Sequence, residues 1–143
     1  MINVSESIMI QKPVEDIFNY TTDLHNLPKW QKSIKSIEAP EGPATKGYQY
    51  INVRRFLGQD IKTAFEVLEV NKNSNFILKS KDGPVEIQVN LSFEPIGDAT
   101  KMTTNLQAKV GGFFKVAEGM VAKQMQSQII DDSNELKSLM EKM

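Results

Sequence analysis

Apolar and polar residues alternate from the start of the chain. Ile2, Val4, Ile8 and Ile10 share one parity; Asn3, Ser5, Ser7 and Gln11 share the other. This period of two predicts a half-buried strand, with Glu6 the one polar residue on the apolar parity. Pro13 suits the first turn of a helix, where its missing N–H costs nothing. Val14, Ile17, Phe18 and Thr21 follow at helical spacing. Asp23 offers an N-cap for a second short helix that reaches Leu27 and stops at Pro28. Strand-rich segments come next, at 33–39, 48–55, 60–70 and 76–81. A loop with Pro40, Gly42, Pro43 and Gly47, a turn at Gly58 and the polar stretch 71–75 separate them. Asp82–Gly83 is a two-residue hairpin signal. Val85, Ile87, Val89, Leu91 and Phe93 then alternate with Glu86, Gln88, Asn90, Ser92 and Glu94. After a turn at 95–98, Met102, Thr104, Leu106, Ala108 and Val110 alternate with Lys101, Thr103, Asn105, Gln107 and Lys109. Each of these two strands has one apolar and one polar face, the pattern of an antiparallel sheet covered on one side.

Gly111–Gly112 ends the strand pattern, and from Phe113 the period becomes 3.6. Phe113, Val116, Ala117, Met120, Val121, Met125, Ile129, Leu136, Leu139 and Met140 form one broad stripe. About 29 helical residues at 1.5 Å each predict a rod of about 43 Å. A sheet with a single apolar face needs a cover, and only this helix is long enough. The expected fold is therefore α+β: a curved seven-stranded antiparallel sheet wrapped around a long C-terminal helix, with two short helices between strands 1 and 2. A curved sheet cannot touch a straight helix along its whole length. The gap is expected near the helix N-terminus, and such gaps are common ligand sites.

Composition narrows the chemistry. The 143 residues carry no cysteine, which removes disulfides, thiolate metal sites and cysteine nucleophiles together. His25 is the single histidine, so histidine-rich metal sites and relays have no material. Lys plus Arg is 17 and Asp plus Glu is 18, a balance that argues against nucleic acid as a partner. The length suits one domain spanning residues 1–143. No signal-peptide h-region and no apolar run of about 18 residues is present, so a cytoplasmic location without stable membrane insertion is expected.

Several stretches resemble the START / polyketide cyclase / plant pollen-allergen (SRPBCC) superfamily, in its bacterial polyketide cyclase/dehydrase-like branch. They are Ile10-Gln11-Lys12-Pro13-Val14-Glu15-Asp16-Ile17-Phe18, Asp23-Leu24-His25-Asn26-Leu27-Pro28-Lys29-Trp30, the Gly42–Gly47 loop before Tyr48, and the Gly-Gly-Phe-Phe entry to the last helix. The resemblance covers essentially the whole chain and implies the helix-grip fold. It implies a cavity for a lipid, sterol, hormone or polyketide, with catalysis in some members only. Fold alone does not carry function.

Each candidate site residue has a plain structural reading beside the functional one. Trp30 reads first as an anchor for the helical corner and second as a cavity wall, since buried aromatics mostly supply packing area. Gly42-Pro43-Ala44-Thr45-Lys46-Gly47 has P-loop-like glycine spacing, but Tyr48-Gln49 follow where Lys and Ser/Thr are required; it reads as a loop at the cavity rim. His25 reads as a solvated surface side chain, because no nucleophile or carboxylate partner can be assigned to it. Glu6 reads as a strand irregularity or as a polar anchor in a dry cavity. Arg54 and Arg55 must point to opposite faces, and the inward one would pair with Glu6 or a ligand carboxylate. Phe113, Phe114, Ala117, Met120, Val121 and Met125 suit an adaptable apolar wall, with Gln124 and Gln128 near the same face. Tyr48, Tyr50, Phe65, Val89 and Met102 are expected to line the cavity from the sheet.

The function expected is binding of a small apolar ligand (a lipid, isoprenoid or polyketide-like ring) with no cofactor and no metal. The alternatives are a cyclase or dehydratase acting in the same cavity, with Glu6, Tyr48, Tyr50 or an arginine as its only acid/base material, and a co-chaperone-like interaction module. The oligomeric state stays open between monomer and homodimer.

Overall fold

The computed structural model describes residues 1–82 and 85–143, with Asp82, Phe113 and Phe114 placed by their backbone alone. Strand β1 (Ile2–Ile10) leads into helix α1 (Val14–Thr22), a 3-10 turn at Leu24–Asn26 and helix α2 (Leu27–Trp30). Six strands follow: β2 (Ile34–Glu38), β3 (Gln49–Phe56), β4 (Gln59–Asn71), β5 (Asn75–Asp82), β6 (Val85–Ile96) and β7 (Ala99–Val110). Helices α3 (Phe113–Val116) and α4 (Glu118–Glu141) close the chain. All strand pairs are antiparallel, in the order β1-β7-β6-β5-β4-β3-β2. This is the α+β helix-grip architecture.

The alternating stretches set the sheet. Val85, Leu91, Phe93, Met102, Ala108 and Val110 are buried, while Glu86, Gln88, Glu94, Lys101, Gln107 and Lys109 are exposed. Hairpin β3–β4 turns at Leu57 and Gly58, with φ of 50° and 77°. A two-residue turn with both φ positive matches the twist of its strands, and glycine reaches it at no steric cost. The hairpin expected at Asp82–Gly83 lies partly outside the described residues.

Two helical expectations change. Asp23 does cap a turn, its carboxylate accepting from the His25 backbone N–H, but that turn is the 3-10 segment. Pro28 sits in the first turn of α2 instead of ending a helix, a position where proline loses no hydrogen bond. The single rod from Phe113 is broken at Ala117, whose φ of −106° and ψ of 26° are not helical. The phase of the pattern explains the break. At about 100° per residue, Val116 and Met120 point to the side of a continuous helix opposite Met125, Ile129 and Leu136. Val116 is 92% exposed and Met120 61% exposed. The covering helix is α4 alone, 24 residues and about 36 Å long. Its buried face is Val121, Met125, Ile129, Ser133, Leu136 and Met140.

The core has two parts. One gathers α1, α2, the sheet centre and the end of α4, around Ile10, Ile17, Leu24, Trp30, Phe76, Met102 and Leu136. The other joins Ile2, Val4, Phe56, Val85, Ala108 and Val110 to Val121, Met125 and Ile129. The C-terminal end of α4 is tied to the end of β1. Lys137 Nζ donates to the Met9 carbonyl at 2.6 Å, and the Gln11 backbone N–H donates to the Glu141 carboxylate at 2.8 Å.

Candidate functional site

Between the two core regions lies a cavity of about 150 Å³. Leu24, Leu27, Trp30 and Gln31 line it from the helical corner. Tyr50, Asn52, Arg54, Phe56, Thr63 and Phe65 line it from β3 and β4. Phe76, Leu78, Ile87, Val89, Leu91, Thr104 and Leu106 continue the wall across the sheet. Met125, Gln128, Ile129, Asp132 and Ser133 form the α4 side. Tyr50 and Phe65 stack across β3 and β4 with ring centroids 5.4 Å apart, a favourable offset for an aromatic pair.

The wall has one charged corner. Arg54 points inward from β3, and its guanidinium donates to Ser33 Oγ at 2.8 Å, to Gln128 Oε1 at 3.4 Å and to Gln31 Oε1. Asp132 Oδ2 on α4 stands 3.9 Å from Arg54 Nη1, an ion-pair distance and too long for a hydrogen bond. The Asp132 side chain is only 14% exposed. Its burial raises its pKa to about 7, and the negative Asp131 beside it adds to the rise, while Arg54 pulls the other way. Burial outweighs attraction because the pair lacks the direct hydrogen bonds that would compensate a desolvated carboxylate. Burial likewise lowers the pKa of Arg54, opposed by Asp132. Desolvation raises that of the Tyr50 hydroxyl.

The structure brings together Trp30, Tyr50, Phe65, Val89 and Arg54 of the expected set, with Met125 and Gln128. The rest lie elsewhere. Met102 is fully buried in the first core region. Tyr48 packs against that region, and its hydroxyl donates to the Pro40 carbonyl. Val121 and Ala117 belong to the second region, which fills the space under the start of α4. The hollow is therefore under the middle of α4, and Gln124 and the exposed Met120 are not on its wall. Phe113 and Phe114 have side chains outside the description. Glu6 does not pair with Arg54; its carboxylate accepts from Gln126 Nε2 at 2.9 Å, which accounts for an acid on the apolar parity of β1. Arg55 points outward to Asp60 at 3.1 Å. His25 is exposed and lies between Asp23 Oδ1 at 3.3 Å and the Ala39 carbonyl at 2.9 Å. The Gly42–Gly47 loop is not on the cavity wall.

Asp132, Gln31, Asn52, Thr63 and Ser133 are cavity residues that pattern reading passed over. For Asp132 the signal was present: it stands three residues after Ile129 and seven after Met125, on the buried stripe. Among the described residues no cluster of three or more His, Asp and Glu side chains is arranged to hold a metal ion. No described helix is long and apolar enough to cross a membrane.

Known structures share this architecture. The TTHA0849 protein of Thermus thermophilus superposes with a TM-score of 0.84 at 19% identity, over 95% of this chain and 94% of that one. A START superfamily protein from Mycobacterium smegmatis gives 0.80 at 19% identity over 99% of both chains. The Zhui aromatase/cyclase from Streptomyces sp. R1128 gives 0.78 at 9% identity, over 95% of this chain and 91% of that one. A search of curated proteins found no match. At these identities the likeness is one of fold. The match that reaches the sequence itself is a family model covering residues 1–141, and by it the chain belongs to the polyketide cyclase / dehydrase and lipid transport family.

Proposed function

We propose that the chain binds a small molecule with a ring-sized apolar body and an acidic end, the acid facing Arg54 in the cavity. The observation that carries this reading is an inward arginine in an otherwise largely apolar chamber. A guanidinium has five N–H donors in a fixed fork, and the three hydrogen bonds above leave donors for a guest. Removing apolar area from water supplies affinity at about 25 cal/mol per Å². A dry cavity of about 150 Å³ is known in another protein to hold benzene. The chamber here, also about 150 Å³, lies below the roughly 300–1,000 Å³ usual for drug-sized ligands and so suits a single ring better than an extended lipid chain.

A second reading is supported by Asp132. A carboxyl with a pKa of about 7 is poised to give or take a proton at neutral pH. That is the equipment of a cyclase or dehydratase acting on the same guest, with Arg54 holding the substrate's negative charge. The cytoplasm, where free small acids are abundant, is the setting we propose for either role.

The binding reading is tested by NMR titration with benzoate at pH 6. Saturable shifts are expected at cavity-lining amides, and Arg54→Met is expected to weaken binding by about tenfold, the loss of one charge-assisted contact. Benzoate that fails to saturate, or that binds Arg54→Met as well as the parent, refutes it.

A further inference from the structure

Strand β3 turns polar side chains toward the interior. Tyr50, Asn52, Arg54 and Phe56 face the cavity in succession, and Ile51 and Val53 occupy the other face. The described side-chain hydrogen bonds of this inward row all belong to Arg54. Tyr50 and Asn52 are each 3% exposed, yet the Tyr50 hydroxyl and the Asn52 amide have no partner among the described residues. Thr63 stands directly opposite Asn52 in the β3–β4 register and also lines the cavity. Buried polar groups in proteins are nearly always hydrogen-bonded, and one left open to a cavity asks for an explanation. Among the described residues the fully occluded unpartnered side-chain atoms are Trp30 Nε1, Asn73 Oδ1 and Asn90 Oδ1, so the Asn52 amide and the Tyr50 hydroxyl keep access to the cavity and are free to bond a guest that enters it.

We propose that Asn52, with Tyr50 and Thr63 beside it, forms a second polar subsite, so that the ligand carries two oxygen functions on opposite sides of its ring. The inference rests on the binding reading above. Alternate residues on one face of a strand are about 7 Å apart, so one function meets Arg54 and the other meets Asn52 across a ring-sized body. A guest with a bare hydrocarbon end leaves the Asn52 amide unpaired, and sites built to bond a hydroxyl discriminate strongly against analogues lacking it. The ligand class is thus a hydroxylated or otherwise doubly oxygenated ring acid.

The probes are benzoate and 4-hydroxybenzoate, titrated by NMR into the full chain at pH 6. The parent protein is expected to prefer 4-hydroxybenzoate by about tenfold. In Asn52→Leu that preference is expected to fall to near one. A parent ratio near one, or a ratio unchanged in Asn52→Leu, overturns the subsite and leaves benzoate binding standing. Failure of both probes to bind overturns the subsite together with the binding reading. Thermal unfolding of ligand-free Asn52→Leu gives a separate check. A midpoint equal to or above that of the parent is expected, because the amide has no protein partner to lose. A fall of more than about 5 °C, the size expected from a buried structural residue, marks Asn52 as part of the core and overturns the proposal.

Discussion

Strands β3 and β7 are both long, antiparallel and buried on one face, yet they bury opposite things. The inward row of β7 runs Thr100, Met102, Thr104, Leu106, Ala108 and Val110, mostly apolar, with Met102, Ala108 and Val110 packed in the core and Thr104 and Leu106 reaching the cavity. The inward row of β3 runs Tyr50, Asn52, Arg54 and Phe56, while its branched apolar residues Ile51 and Val53 sit on the outer side. β7 follows the rule that burial removes apolar area from water. β3 breaks the rule over two consecutive inward positions, and the cavity is where it does so. Sites of this kind cost stability that the rest of the fold must supply.

Truncating the packed strand should have the largest effect. Met102 is fully buried, and Met102→Ala is expected to lose about 2–5 kcal/mol in urea unfolding while benzoate affinity changes less than threefold. A Met102→Ala protein of parental stability with binding abolished reverses the roles assigned to the two strands. The next effect concerns charge. Asp132 titrates near 7, so its ionisation above that pH places a second anion beside a bound carboxylate. Benzoate affinity is expected to fall several-fold from pH 6 to pH 8 in the parent and to stay flat in Asp132→Asn. Stability should move with it. The folded state holds the Asp132 proton more tightly than the unfolded state does, so this group's contribution is full below its ordinary value of 3.8 and is lost as pH rises to about 7. Asp132→Asn removes that decline, worth at most about 1.4 kcal/mol per pH unit. Parallel pH–stability curves for parent and variant rule it out. The smallest effect lies outside the cavity. His25 faces two acceptors, and the hydrogen bond to Ala39, then that to Asp23, raises its pKa above 6.5. Its contribution is present below 6.5 and lost as pH rises through the higher folded value. A ring titration at or below 6.5 by NMR contradicts this.

What the sequence made legible follows from the same contrast. β6 and β7 alternate cleanly, so their faces, pairing and one-sided burial were readable directly. Parity sends Arg54 and Arg55 to opposite faces, and Tyr50 and Asn52 share the parity of Arg54, but nothing in the alternation marks a polar residue such as Asn52 as buried. Its burial depends on where the sheet bends away from α4, which local pattern does not encode. Asp132 was hidden differently: a carboxylate beside Asp131 on a helix reads as part of a solvated face, although its phase placed it on the buried stripe. The helix break at Ala117 was also written in phase and is lost when apolar residues are counted without their angles. The partners of Glu6 and Arg54 depend on contacts 120 and 74 residues away along the chain, beyond the reach of any local rule.

The ties at the far end of α4 give the molecule a direction. Lys137 and Glu141 fasten that end to Met9 and Gln11, whereas the opposite end begins at an unwound residue with no side-chain cap. That start is held in another way, since Val121 is fully buried in the second core region. Polar ties thus fix one end of α4 and apolar packing the other, and the span between them carries Gln128 and Asp132 over the cavity.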